Sequence, residues 1–497
     1  MCDLSPRRRL LVLAICCMSL LIVSLDNTVL NVALPSMRRE LGASVAGMQW
    51  TIDAYTLVLA SLLMLAGSTA DRIGRRRVFT VGLVLFTAGS VLCSLAPSLG
   101  WLIAFRMVQA VGGSMLNPVA MSIITNTFTD PRERARAIGA WGAVVGISMA
   151  AGPLVGGLLV DTVGWRSIFW INLPVGLLAL ALTLRYVPES RAEHPRRPDP
   201  VGQLLVMGLL GSVTYGIIEA PAAGWHSPLI LGCAALAVGS LAGLLIYEPR
   251  RAEPLIDPRF FRSAPFSGAT VIAVSAFAAL SGFLFLNTLY LQEVRGLDAL
   301  HAGLYMLPMA ALAFLCAPVS GRLVGTRGPR LPLVVAGVTM AASGLLFAAF
   351  SAESSTPLLF CGYVLFGLGF GMVNAPITNT AVSGMPRAQA GVAAAVASTS
   401  RQTGGTLGVA VVGAVLAAGL AGSASAPGAD SGPASAADFL AAAEPAWWII
   451  TVCGLLVLVV GLLTSGRWAR GTALRTARTL EPGPDPARTG APPRVGP

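Results

Sequence analysis

The sequence predicts an all-α polytopic membrane protein of about fourteen spanning helices, arranged as two six-helix bundles with two helices inserted between them. Three observations carry this reading. Of the 497 residues, 55% are hydrophobic and 11% are charged, against about 25% charged in a soluble globular chain. The apolar residues fall into blocks of about 18 to 25, closed by Arg, Pro or Gly, the length at which a helix crosses about 30 Å of hydrocarbon. The arginines between blocks lie mostly on one of two alternating sides.

Taken in order, the blocks run over 10–33, 47–69, 78–96, 99–121, 138–160, 167–187, 200–220, 227–247, 264–289, 301–321, 331–350, 357–378, 390–416 and 446–464. The first follows Arg7, Arg8 and Arg9 as a signal peptide would. It continues past the usual apolar length, contains Asp26 and Asn31, and meets no small-residue cleavage site, so it reads as an uncleaved first helix. With the amino terminus in the cytoplasm, 28 of the 34 basic residues fall on the cytoplasmic side. Only Arg38, Arg39, Arg166 and Arg295 fall outside, while Arg106 and Arg401 lie within blocks. One missed or extra span would invert every later loop and erase the bias, so the span number is even and both termini are cytoplasmic.

The composition also excludes several functions. A net charge of +11 would suggest a nucleic-acid partner in a soluble protein, but here the charge sits in short loops between apolar blocks, so the expected partner is the lipid bilayer, with no nucleic acid. Every basic residue is Arg, read as a coding bias of a bacterial source and hence a bacterial plasma (inner) membrane. The eight cysteines include no C-x-x-C spacing, and His194, His226 and His301 form no cluster with Cys or carboxylates. Metal: none and cofactor: none are therefore the expectations. No G-x-x-x-x-G-K-[ST] phosphate loop exists in the chain, so energy has to come from an ion gradient. A membrane enzyme or sensor lacks both a catalytic constellation and a sizeable soluble domain.

An internal repeat organises the chain. Gly67-Ser-Thr-Ala-Asp71-Arg72-Ile-Gly74-Arg75-Arg76 follows the second block, and Gly321-Arg-Leu-Val-Gly325-Thr-Arg-Gly328-Pro-Arg330 follows the tenth. Both glycines and the last arginine keep their spacing. Eight blocks separate the copies, so a six-helix repeat leaves two helices over. The expected domains are a first bundle over 1–190, an insert over 191–262 and a second bundle over 263–465. A disordered cytoplasmic tail is expected over 466–497, which is Arg, Pro and Gly rich. The Ala, Gly, Ser and Pro rich stretch 421–437 reads as an extracellular linker.

Four segments carry a resemblance. Leu25-Asp26-Asn27-Thr28-Val29-Leu30-Asn31-Val32-Ala33-Leu34-Pro35 lies in the first block, and the Gly67 to Arg77 loop follows the second. Arg106-Met-Val-Gln109-Ala110-Val-Gly112-Gly113 lies in the fourth, and Gly146 with Gly152-Pro153-Leu-Val-Gly156-Gly157 in the fifth. In this order they resemble the major facilitator superfamily, and within it the fourteen-helix drug:proton antiporter family, along nearly the whole chain. Ala110 stands where that family usually has glycine. The run Trp165-Arg166-Ser167-Ile168-Phe169-Trp170-Ile171-Asn172-Leu173-Pro174 resembles its junction of the fifth and sixth helices. The resemblance implies proton-coupled efflux of small hydrophobic or amphipathic compounds, such as a drug or antibiotic, by alternating access. Proton-coupled uptake on the same fold is the alternative.

The same residues can be read physically. An ionisable group in hydrocarbon costs at least a few kcal/mol, about 2.5 to 3.5 on insertion scales, so Asp26, Asp53, Arg106 and Arg401 need partners, water or a function. At 1.5 Å per residue, Asp26 lies about 24 Å up its helix from the cytoplasm, and Asp53 and Arg106 about 10 Å down theirs from outside. All three share a level, so Arg106 is placed to pair with Asp26 or Asp53, either as a static pair or as a proton-exchanging one. Arg401 has no assignable carboxylate. Asp71 among Arg72 and Arg75 caps a helix or forms an interhelical pair, with Gly67 and Gly74 for tight turning, and the resemblance implies a cytoplasmic gate there. Gly152, Pro153, Gly156 and Gly157 allow a kink and close helix approach, and the resemblance implies the antiporter motif that marks exporters.

Overall fold

The computed structural model describes residues 5–192, 199–251, 253–350, 354–383, 385, 389–424 and 435–480. Fourteen helical spans are long and apolar enough to cross a membrane, and no strand occurs among the described residues. The first half comprises α1 (Pro6–Leu41), α2 (Val45–Ile73), α3 (Arg75–Ser94), α4 (Leu99–Thr127) and α5 (Pro131–Thr162). Its sixth span is made of α6 (Ser167–Trp170) and α7 (Asn172–Tyr186), divided at Ile171. The insert is α8 (Pro200–Ala223) and α9 (Pro228–Tyr247). The second half comprises α10 (Ala264–Leu289), α11 (Ala299–Arg327), α12 (Arg330–Ala348), α13 (Thr356–Val382), α14 (Ala390–Ala424) and α15 (Ala436–Thr464). Helix starts follow capping chemistry: Ser44, Asp130, Asp199, Ser227 and Asp298 each accept a hydrogen bond from a first-turn N–H.

Packing makes the repeat physical. In the first half α1 packs on α5 and α7, α2 on α4, and α3 on α4 and α7. The second half repeats these pairs eight spans later, as α10 on α14 and α15, α11 on α13, and α12 on α13 and α15. The halves meet along two seams related the same way, α5 with α11 and α2 with α14. The insert stays outside: α9 packs on α8 with only Ile230 and Ser240 buried, so it faces lipid nearly all round. α8 lies against both α2 and α14, where Leu57, Ala60, Leu210, Thr214, Thr403 and Leu407 meet and the Trp50 indole N–H donates to Glu219 at 2.8 Å.

The even number of spans puts both ends of the chain on one face, and the halves are sealed at the opposite face. There Arg38 pairs with Glu293 at 2.8 Å, Gln292 Nε2 donates to the Val32 carbonyl at 2.8 Å, and Leu300 N–H donates to Asp161 at 2.8 Å. Towards the terminal face the halves part below Gly146, where a Cβ would meet Phe314 at 2.4 Å. On α5, Gly139, Ala140, Gly142, Ala143, Val145 and Ile147 are exposed, a set too broad for one lipid-facing stripe. Opposite them Phe314, Leu315, Ala317, Val319 and Gly321 of α11 are exposed as well. The molecule is closed at the far face and open at the terminal one.

The tail departs from expectation. Residues 467–480, expected as disordered, form the helix α16 (Arg467–Leu480). Ala469, Thr472, Ala473, Thr476 and Leu480 recur at helical spacing and make one buried face. Thr472 accepts the Ala264 N–H at 2.9 Å, and Leu480 packs with Phe260, Phe266, Ala393 and Val396. The rest of the tail, 481–497, lies outside the described residues, as does 425–434 of the expected linker. The remainder of that linker ends α14 and begins α15, where Ser435 and Asp438 form a capping box.

Candidate functional site

α1, α4 and α7 bring one carboxylate and one guanidinium together inside the first half. Asp26 is 4% exposed and Arg106 is fully buried. Arg106 Nη1 donates to Asp26 Oδ2, while Gln109 Nε2 and Asn172 Nδ2 each donate to Asp26 Oδ1 at 2.9 Å. Gln109 lies one turn beyond Arg106 on α4, and its Oε1 accepts Arg106 Nη1 at 2.9 Å. Asn172 opens α7 after the break at Ile171 and also reaches Ser90 Oγ at 3.0 Å. Arg106 donates from Nε to the Thr51 carbonyl at 3.3 Å and lies over the Tyr55 ring, 4.2 Å from its centroid. The carboxylate thus receives three donors, one of them charged, the kind of shell a buried ion pair needs. Arg106 Nη2 and the Tyr55 hydroxyl have no hydrogen-bond partner.

Asp53 is not part of this cluster. It shares a depth with Arg106 but lies two residues from both Thr51 and Tyr55, so at 100° per residue it points to the other side of α2. It faces the α2–α14 seam with Gln49, which donates to the carbonyls of Val409 (3.1 Å) and Ala410 (2.8 Å), and Thr56, which accepts the Thr406 hydroxyl at 2.9 Å. Asp53 is fully buried and accepts the Thr56 hydroxyl at 3.4 Å, and among the described residues its Oδ2 has no hydrogen-bond partner. Arg401 on α14 donates to Ser398 at 3.4 Å and Thr378 at 2.5 Å, with Nε unpartnered and no ion pair among the described residues.

The Gly67 to Arg77 loop folds onto its own half. Asp71 accepts Arg75 Nη2 at 2.7 Å, and its carbonyl accepts Ala192 N–H at 3.1 Å. Arg75 N–H donates to the Ser190 carbonyl at 2.9 Å, and Arg76 N–H to Glu189 at 3.1 Å. Gly74 has φ +128°, and a Cβ there would strike the Glu189 carboxylate at 2.6 Å. Gly67 lets α2 approach Pro118 of α4, at 3.7 Å from its absent Cβ, and Arg72 is exposed.

The glycine segment of α5 serves two contacts. A Cβ on Gly152 would lie 2.0 Å from Thr28 Oγ1, and on Gly156 3.2 Å from the Val29 backbone, so both fit α5 onto α1. A Cβ on Gly157 would lie 2.5 Å from Leu300 Cα in the other half. Across the same seam, the Pro153 carbonyl would meet a Cβ on Gly303 at 2.4 Å. Sequence reasoning quoted Gln109 and Asn172 without giving them a part, and missed Asp161 as the cap of α11 across the seam. An Asn placed at a break between two apolar helices was the available signal.

The profile of the Major Facilitator Superfamily matches residues 16–409, which runs from α1 into α14 and takes in the insert and the site. The chain belongs to this superfamily. It is 39% identical over 412 residues to "Multidrug resistance protein Stp" of Mycobacterium tuberculosis, covering 83% of this chain and 76% of that one. It is also 39% identical over 398 residues to the "Tetracenomycin C resistance and export protein" of Streptomyces glaucescens, covering 80% and 74%. A solved bacterial homolog of the human lysosomal transporter Spinster shares the fold of this facilitator chain. The TM-score is 0.65 at 20% identity, over 97% of this chain and 100% of the other. The chain is therefore a multi-pass membrane transporter with drug and antibiotic efflux proteins among its relatives.

Proposed function

We propose that this facilitator exports small hydrophobic or amphipathic compounds, a drug or antibiotic, in exchange for protons, by alternating access of its two halves. The buried Asp26–Arg106 pair carries the reading: two charges with a built donor shell sit in hydrocarbon, where a purely structural bundle needs none. The relatives named for resistance and export supply the direction. The membrane is a bacterial plasma membrane, and the arginine-rich terminal face is the cytoplasmic one.

In this cycle the open face admits substrate from the cytoplasm. Asp26 is held by Arg106, Gln109 and Asn172 and responds to substrate by releasing or regaining Arg106. Asp53 faces the moving α2–α14 seam without a cation beside it, and it carries the proton across. The seam contacts of Gly157 with Leu300 and of Asp161 with the start of α11 hold the outer gate. When the cytoplasmic side closes, the Asp71–Arg75 loop, bearing Gly67, Arg72 and Gly74, meets the second half as the inner gate. Gly152, Pro153 and Gly156 let α5 and α1 move as one unit.

Cells expressing the chain are tested against a panel of antibiotics, with and without an uncoupler, beside Asp26→Asn. Resistance that the uncoupler and Asp26→Asn both abolish is expected. Equal resistance in wild type and Asp26→Asn refutes the part given to Asp26 in coupling substrate to the cycle, and label that accumulates in cells instead of leaving them refutes export.

A further inference from the structure

The base of the α8–α9 hairpin holds two buried acids that the transport reading does not use. Asp199 caps α8, with Oδ1 accepting the Gly202 N–H at 2.9 Å and the Tyr247 hydroxyl at 3.2 Å. Glu248 follows α9 and is 3% exposed. Both Glu248 oxygens and Asp199 Oδ2 lack a hydrogen-bond partner, as does Oε1 of the buried Gln203, one turn along α8. The Leu255 and Ile256 N–H groups face the Glu248 carboxylate. The two acids converge: a Cβ on Gly202 would lie 2.4 Å from Glu248 Oε1 and 2.9 Å from Asp199 Oδ2.

Among the described residues the charges at this corner do not balance: Arg251 is the cation bearing on the pair, with its Nε 3.9 Å from Asp199 Oδ2 and its side chain 39% exposed. Among the described residues Tyr247 is a further titratable neighbour, and α2 contributes the neutral Ser61 carbonyl, to which Gln203 donates. Two adjacent buried carboxylates do not both stay ionised beside one partly solvated guanidinium. All the unpartnered atoms here are acceptors, so the site is short of a donor and of positive charge. One proton supplies both, turning an unpartnered carboxylate into an O–H that the second acid accepts.

We propose that Asp199 and Glu248 form a single-proton site, in which one carboxyl carries the proton and donates it to the other, and that this proton keeps the α8–α9 hairpin closed at its base. The site lies outside the transport path and does not rest on the transport reading. Gly202 permits it, since any side chain there would enter the gap between the acids.

The test is thermal melting of the purified full chain in detergent across neutral pH, for wild type and Glu248→Gln. A proton held by the folded state and released on unfolding raises the unfolding equilibrium constant about tenfold per pH unit as pH rises. Gln reproduces the neutral acid, so Glu248→Gln is expected to fold and to lose this component, and its melting temperature should fall less steeply with pH than that of wild type. Asp199→Asn should flatten the profile likewise. A protonated-carboxyl infrared band in wild type at neutral pH should shrink in Glu248→Gln. Parallel melting profiles, an unchanged band or failure of Glu248→Gln to fold would each overturn the proposal. Stabilisation of wild type alone by sodium, magnesium or calcium chloride would overturn it too, by showing a metal cation in the proton's place.

Discussion

Gly157→Ala is the sharpest perturbation of the seam between the halves. The added Cβ would lie 2.5 Å from Leu300 Cα, 2.6 Å from the Ala299 carbonyl oxygen and 2.8 Å from its carbon, where ordinary contact begins near 3.4 Å. All three are backbone atoms, so no side-chain rotation relieves the clash and the helices must part by about 1 Å. Overpacking of this kind costs about 1–3 kcal/mol. In the proposed alternating-access cycle the penalty falls on the conformation closed at the far face, because α5 and α11 would separate there in the opposite one. It therefore shifts the balance between the two conformations by about 5- to 150-fold. Gly303→Ala, with its Cβ 2.4 Å from the Pro153 carbonyl, has the same sign. Gly139→Ala is the control on the same helix, because nothing lies within 4 Å of its Cβ. Spin labels on the exposed residues Val163 and Ala441 report the far-face separation by double electron–electron resonance. Gly157→Ala and Gly303→Ala should lengthen that distance and Gly139→Ala should not. A Gly157→Ala protein that stays folded with an unshifted distance distribution refutes the reasoning.

Removing one member of the buried pair should be worse than removing both. Arg106→Gln leaves Asp26 uncompensated and should lower stability by about 3–5 kcal/mol, read by melting in detergent. Asp26→Asn with Arg106→Gln should regain most of that stability and still confer no resistance. Asn172→Ala deletes one hydrogen bond to the carboxylate, worth about 1.5–3 kcal/mol, and should lower the melting temperature in detergent. Asp71→Asn breaks a half-exposed pair with Arg75, so melting should change by less than about 1 kcal/mol. A large fall in efflux with unchanged melting would mark Asp71 as a gate residue.

The span count and the eight-span repeat were legible because lipid imposes length on every block and the arginines record sidedness. Depth was legible too: counting rise per residue put Asp26 and Arg106 at one level, and the structure pairs them. Rotation about the helix axis was not. Asp53 has the right depth but points to α14, and only the position of the neighbouring helices reveals that. Gln109 and Asn172 were hidden for the same reason, since three helices have to converge before either meets Asp26. The tail was misread because composition suggested disorder, while the small residues from Ala469 to Leu480 find a surface to cover only once α10 is in place.

The insert breaks the symmetry that the two halves otherwise keep. α8 braces the α2–α14 seam from its outer side, and among the described residues no corresponding helix from outside the two halves packs on both α5 and α11. A compound dissolved in the surrounding bilayer therefore meets one shuttered side window and one unshuttered. Under the proposed export of apolar compounds, lipid-borne cargo would enter beside α5 and α11, and bulky substitutions along the exposed flanks of those two helices should narrow that entry without touching any charged residue.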